Sequence, residues 1–117
     1  MPTPPALTDP EDTKLVTLAR STRARTRAAE GAAVRDLDGR TYAAATVELP
    51  SLRMSAVQVA VAMAVTSGAQ GLEAVVVLGE AADVADADLG AVRDLAGPGV
   101  PVHRTAADGS LVATATT

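Results

Sequence analysis

Imidazole, thiol and paired carboxylates do most side-chain chemistry near neutral pH, and this sequence is short of the first two. It has one histidine, His103, and no cysteine. That count excludes disulfides and thiolate zinc ligands. One imidazole with scattered carboxylates makes at best a weak metal site, so His103 is expected at a strand edge or on the surface, as a non-ligand. Carboxylates gather at Glu80, Asp83, Asp86 and Asp88. The run lacks the glycine and spacing of a calcium loop. It reads as a solvated loop that caps a helix, or as a partner for an arginine stripe. That stripe is Arg20, Arg23 and Arg27, one face of a helix. No aromatic residue accompanies it and the net charge is −4. A solvated face is therefore expected, and nucleic acid is not an expected partner. Ser55 carries a nucleophile's hydroxyl, but Met54, Ala56 and Val57 flank it and no local residue is a base. It reads as a helix cap. Gly68 with Gly71, and Gly97 with Gly99, lack the spacing of a phosphate loop.

Several elements must position these groups. Residues 1–10 hold four prolines and read as a disordered arm, not a signal peptide. Residues 11–117 read as one domain. A first helix has Asp9 as cap, Pro10 at its first position and Glu11 and Asp12 in its first turn, and it closes at Glu30-Gly31. Ala32 to Asp36 and Arg40 to Val47 read as a hairpin around Asp38-Gly39. After a break at Pro50-Ser51, a second helix covers about Met54 to Ser67. It is apolar on nearly every side, which predicts burial in a core or a subunit contact. Glu73 to Leu78 reads as a central strand covered on both faces. A third helix, capped by Asp86 or Asp88, runs to Ala96. Val100 to Thr105 is a strand whose Pro101 marks an edge or a start, and Leu111 to Ala113 is a weak last strand. The order α-β-β-α-β-α-β predicts an α/β fold: three layers, with helices on both faces of a mixed sheet of four to five strands.

The order and several local runs resemble the cytidine deaminase-like family from about Leu15 to Ala113. Gly31-Ala32-Ala33-Val34 and Asp38-Gly39-Arg40-Thr41-Tyr42 resemble that family's Gly-Ala-Ala strand and Asp-Gly hairpin. Thr46-Val47-Glu48 falls where the family has an Asn-x-Glu segment that holds the ribose. Ser55-Ala56-Val57 falls on its Cys-Ala-Glu or His-Ala-Glu. Leu89-Gly90-Ala91-Val92-Arg93 falls on its Cys-Gly-Ala-Cys-Arg. The resemblance implies a three-ligand zinc ion, a metal-bound hydroxide and a glutamate that shuttles protons. The ligand positions here hold Ser55, Leu89 and Val92, and the shuttle position holds Val57. Leu and Val have no donor atom, a neutral hydroxyl is a poor one, and Val57 moves no proton. The sequence is most similar to a degenerate group of small actinobacterial members. The expectation is a chain with no catalytic residue, metal or cofactor.

The same resemblance leaves Thr46 and Glu48 as a remnant substrate-binding pair for a pyrimidine nucleoside. The core material is mostly Ala and Val, with one Tyr and no Phe or Trp. Small side chains bury little area each, at roughly 25 cal/mol per Å², so self-association as a dimer or tetramer is expected to add burial. A further, unidentified protein partner fits the same reading. No apolar run approaches the roughly 20 residues of a membrane span, so a cytoplasmic protein is expected. Three functions compete. They are a catalytically inactive scaffold that self-associates, a nucleoside or nucleotide sensing module, and a working deaminase with an unrecognised metal site.

Overall fold

The computed structural model describes residues 7–117, so most of the expected arm lies outside the described residues. Within them, Leu7 packs against the apolar residues under the first helix. Helix α1 (Pro10–Thr26) starts as expected: Asp9 is the cap and accepts from the Glu11 N–H at 2.8 Å. It ends four residues before Glu30, because Arg27 turns into the left-handed region with φ 56° and ψ 33°.

Seven strands follow in two sheets. The main sheet has five, in the order β2 (Thr41–Ala45), β1 (Gly31–Asp36), β5 (Leu72–Leu78), β6 (Pro101–Thr105) and β7 (Leu111–Thr116). β5 and β6 run parallel and every other pair is antiparallel. The sheet is mixed, as the sequence predicts. α1 covers one face, over Ala33, Ala74, Val76 and Leu78. Helices α2 (Ala56–Thr66) and α3 (Asp86–Ala96) cover the other, over Ala32, Val34, Val75, Val77 and Val102. Strand alternation explains the division, since odd and even positions of β1 and β5 serve opposite helices. Small residues let the layers approach. A Cβ on Gly31 would lie 2.1 Å from the Ala19 carbonyl oxygen of α1, so only glycine fits that crossing.

Four expectations need correction. Arg40 to Val47 is not one strand. The chain leaves the sheet at Thr46 and forms a second hairpin, β3 (Val47–Leu49) with β4 (Leu52–Met54), turning at Pro50-Ser51. Proline ends ladder pairing there and starts a turn instead of simply breaking the chain. α3 is capped by neither Asp86 nor Asp88. Ala85 is its non-helical first residue and gives no side-chain cap, while both aspartates lie inside the first turn, at the positive end of the helix dipole. His103 is at neither an edge nor the surface: β6 lies between β5 and β7, and the residue is buried. Pro101 does start its strand, and β7 runs on to Thr116. Among the described residues no helix is long and apolar enough to cross a membrane.

Candidate functional site

The starts of α2 and α3 meet over the sheet. Ser55 is the cap of α2, as its sequence position predicts, and forms a reciprocal capping box with Gln58. Its Oγ accepts from the Gln58 N–H at 3.1 Å, and its own N–H donates to Gln58 Oε1 at 2.9 Å. The Ser55 hydroxyl proton goes elsewhere, to Asp88 Oδ1 at 2.5 Å. Asp88 is buried. This corrects the reading that no base stands near Ser55, since the carboxylate arrives from a helix 33 residues away in sequence. A carboxylate without an imidazole is a feeble base toward an aliphatic hydroxyl. The pair works as a charge-assisted tie between the two helices.

Around that tie the other sequence-selected positions are hydrocarbon. Val57 and Val92 are fully buried in one apolar cluster with Ala56, Ala60 and Val75, and Leu89 packs against it half-buried. A zinc ion held as the resemblance implies does not fit these residues. Two of three ligand positions lack a donor atom, and the third has spent its hydroxyl on Asp88. Among the described residues no three His, Asp or Glu side chains gather as a ligand set.

Thr46 and Glu48 do come together, with Arg53, Met54 and Ser55, around a shallow cleft of about 270 Å³. The β3–β4 hairpin shapes it and sets Glu48 directly across from Arg53. Thr46 is committed to structure, however. Its hydroxyl accepts from the Glu30 N–H at 3.0 Å and donates to the Glu30 carbonyl at 3.3 Å. The exposed charges of Glu48 and Arg53 are the groups left to meet a ligand.

Two charged arrays escaped the sequence reading. Arg104 is buried on β6, paired with Glu30 at 2.5 Å, and its Nε donates to the Asp83 carbonyl at 3.2 Å. On the opposite face Arg35 holds Asp12 at 3.0 Å and Glu73 at 2.9 Å. Burial pulls the Arg35 guanidinium toward losing its proton, but the hydrogen bonds it donates to Glu73 and Asp12 more than offset this and leave its pKa raised. His103 joins this array through Asp12 at 3.5 Å and Thr114 at 2.9 Å. No local motif marks either array, because the partners come from separate elements. The acidic run does not pair with the arginine stripe. Asp83 serves Arg104 through its backbone and Asp88 serves Ser55.

A family model described as cytidine deaminase-like matches residues 8–109. No curated protein sequence matches significantly. Two crystal structures share the fold. Cytidine deaminase from Burkholderia pseudomallei superposes with a TM-score of 0.78 at 22% identity, covering 89% of this chain and 91% of that one. Cytidine deaminase from Mycobacterium leprae gives 0.72 at 20% identity, covering 92% and 94%. Helices on both faces of the mixed sheet, the two helix starts joined above it, and the match along nearly the whole chain lead to one assignment: this protein belongs to the cytidine deaminase-like family.

Proposed function

We propose that this chain is a non-catalytic member of the family that acts as a self-associating interaction scaffold. One observation carries the reading: Val57 and Val92 stand fully buried in hydrocarbon where the family resemblance calls for a proton shuttle and a metal ligand. Burying a carboxylate or an ion among those methyl groups is costly without partners. The self-association half is supported by surface the chain leaves uncovered. Leu49 and Leu52 at the β3–β4 tip are about half exposed, and so is Val65 on α2, at 55%, 50% and 53%. Val65 also lines a hollow of about 270 Å³ between α2 and α3, with Val61, Ala91, Leu95 and Asp94. Purified protein is expected to hold no stoichiometric zinc, to release no ammonia from cytidine, and to scatter light as a dimer or larger at micromolar concentration. Stoichiometric zinc with deamination overturns the first half, and a strict monomer overturns the second.

The cleft of Glu48 and Arg53 supports a second reading, a pyrimidine nucleoside or nucleotide sensor. Thermal shift with cytidine, uridine and their monophosphates separates the two, since binding to the native state raises the melting temperature. No shift with any of the four counts against the sensor.

A further inference from the structure

The C-terminal end of α1 and the residue that caps it carry a charge cluster that neither reading uses. Arg20, Arg23 and Arg27 line one cleft of about 350 Å³, with Ala24, Ala28 and Ala107 as its apolar walls. Among the described residues none of the three guanidinium groups makes an ion pair. Arg23 gives one N–H, its Nε, to the Ala29 carbonyl at 3.1 Å. Like charges around one hollow repel. The end of the helix dipole offsets only about half an elementary charge.

Two further observations point into the same place. Arg27 is the one non-glycine residue with positive φ among the described residues, at 56°. Left-handed backbone is unfavourable for a residue with a Cβ, and glycine is the common choice at such a helix end. Strain of this kind gathers at functional sites. Next, Ala107 also borders a larger cleft of about 470 Å³ that holds Glu80 and Asp108. It adjoins the carboxyl ends of the parallel pair β5 and β6, where open α/β sheets take ligands. The two clefts share Ala107. The Ser110 hydroxyl and N–H hold the Asp108 carboxyl below its ordinary range, and the Arg20 charge adds to their effect.

We propose that the arginine cleft seats the phosphate group of a small phosphorylated polyhydroxy metabolite, whose body crosses Ala107 toward Glu80 and Asp108. Arginine forks match phosphate oxygens in geometry and charge. Carboxylates across the ridge accept from hydroxyl groups, and both clefts are of small-ligand size. A nucleic-acid strand is disfavoured: no aromatic residue lines the cleft, and Glu80 and Asp108 repel the next phosphate. This proposal is independent of catalysis and of self-association.

Titration calorimetry and thermal shift at constant ionic strength test it, with inorganic phosphate, ribose 5-phosphate, ribose and a short single-stranded RNA as probes. Ribose 5-phosphate is expected to bind most tightly, inorganic phosphate more weakly, and ribose not measurably. Arg20→Gln lowers ribose 5-phosphate affinity about tenfold, as loss of a charge-assisted contact does. Arg27→Gly separates binding from structure: relief of the left-handed strain holds or raises the melting temperature in plain buffer, while the ligand-induced shift falls. The proposal is overturned if ribose 5-phosphate does not bind, if the double variant R20Q/R27G binds it as well as the parent, or if RNA binds and ribose 5-phosphate does not.

Discussion

Ser55 and Asp88 show how much one short hydrogen bond is asked to do. The serine is both the cap of α2 and the donor that satisfies a buried carboxylate on α3. Ser55→Ala removes a cap and leaves Asp88 without its donor, and is expected to cost about 1–3 kcal/mol. Urea midpoints of the parent, S55A and the S55A/D88L pair measure it. The pair should recover part of the loss, because no buried carboxylate is left unpaired. Asp36 makes a prediction about pH. Burial pushes its carboxyl up, but the hydroxyl of Tyr42 and the N–H groups of Arg40 and Asp38 together outweigh that and hold it below its ordinary value of 3.8. The same contact raises the Tyr42 phenol. A lowered carboxyl binds protons more weakly folded than unfolded. Its stabilisation is therefore complete above the ordinary value and is lost as pH falls through the folded one. Asp36→Asn is expected to flatten the acid side of the stability curve, comparing urea midpoints at about pH 3 and about pH 6.

Between elements, the Glu30–Arg104 pair ties the loop after α1 to strand β6. The guanidinium is 2% exposed and its Nη1 has no partner. Removing one member of a buried pair strands the other charge. Glu30→Leu is expected to cost about 3–5 kcal/mol, and the double variant E30L/R104L should regain most of it, since hydrocarbon replacement of a whole buried pair is often neutral. Thermal denaturation of the two variants against the parent decides this. A double variant as unstable as E30L would show that the pair acts through Arg104 and the Asp83 carbonyl instead.

At the scale of the whole molecule, α2 is covered on one side only. Its inner side, Ala56, Val57, Ala60, Val61 and Ala64, is buried on the sheet. Met63 and Val65 stay in water. The sequence predicts a helix apolar all round, and the fold covers only part of it. Val65→Asp is expected to shift a self-associated protein toward monomer with little change in monomer stability, because the site is half exposed. Sedimentation over a concentration series checks both. An unchanged association constant would move the contact away from α2.

Local regularities carried the fold. The Asp9-Pro10 start of α1, the Asp38-Gly39 turn, the apolar run of β5 and the Ser55 cap are each written in a few neighbouring residues, and hydrophobic period separates helix from strand. The family resemblance, and no local period, singled out Ser55, Val57, Leu89 and Val92; the first two stand at the start of α2, and the other two lie within α3. The β3–β4 hairpin escaped because three-residue strands hold too few positions to show a period. Contacts between distant segments were not legible at all. Asp88 reaches Ser55, Arg104 reaches Glu30, and His103 sits inside the sheet because packing brings separate elements together. Sequence spacing encodes which face a residue shares with its neighbours. It does not encode which charge from elsewhere in the chain will meet it, since that depends on how tightly the Ala- and Gly-lined layers close.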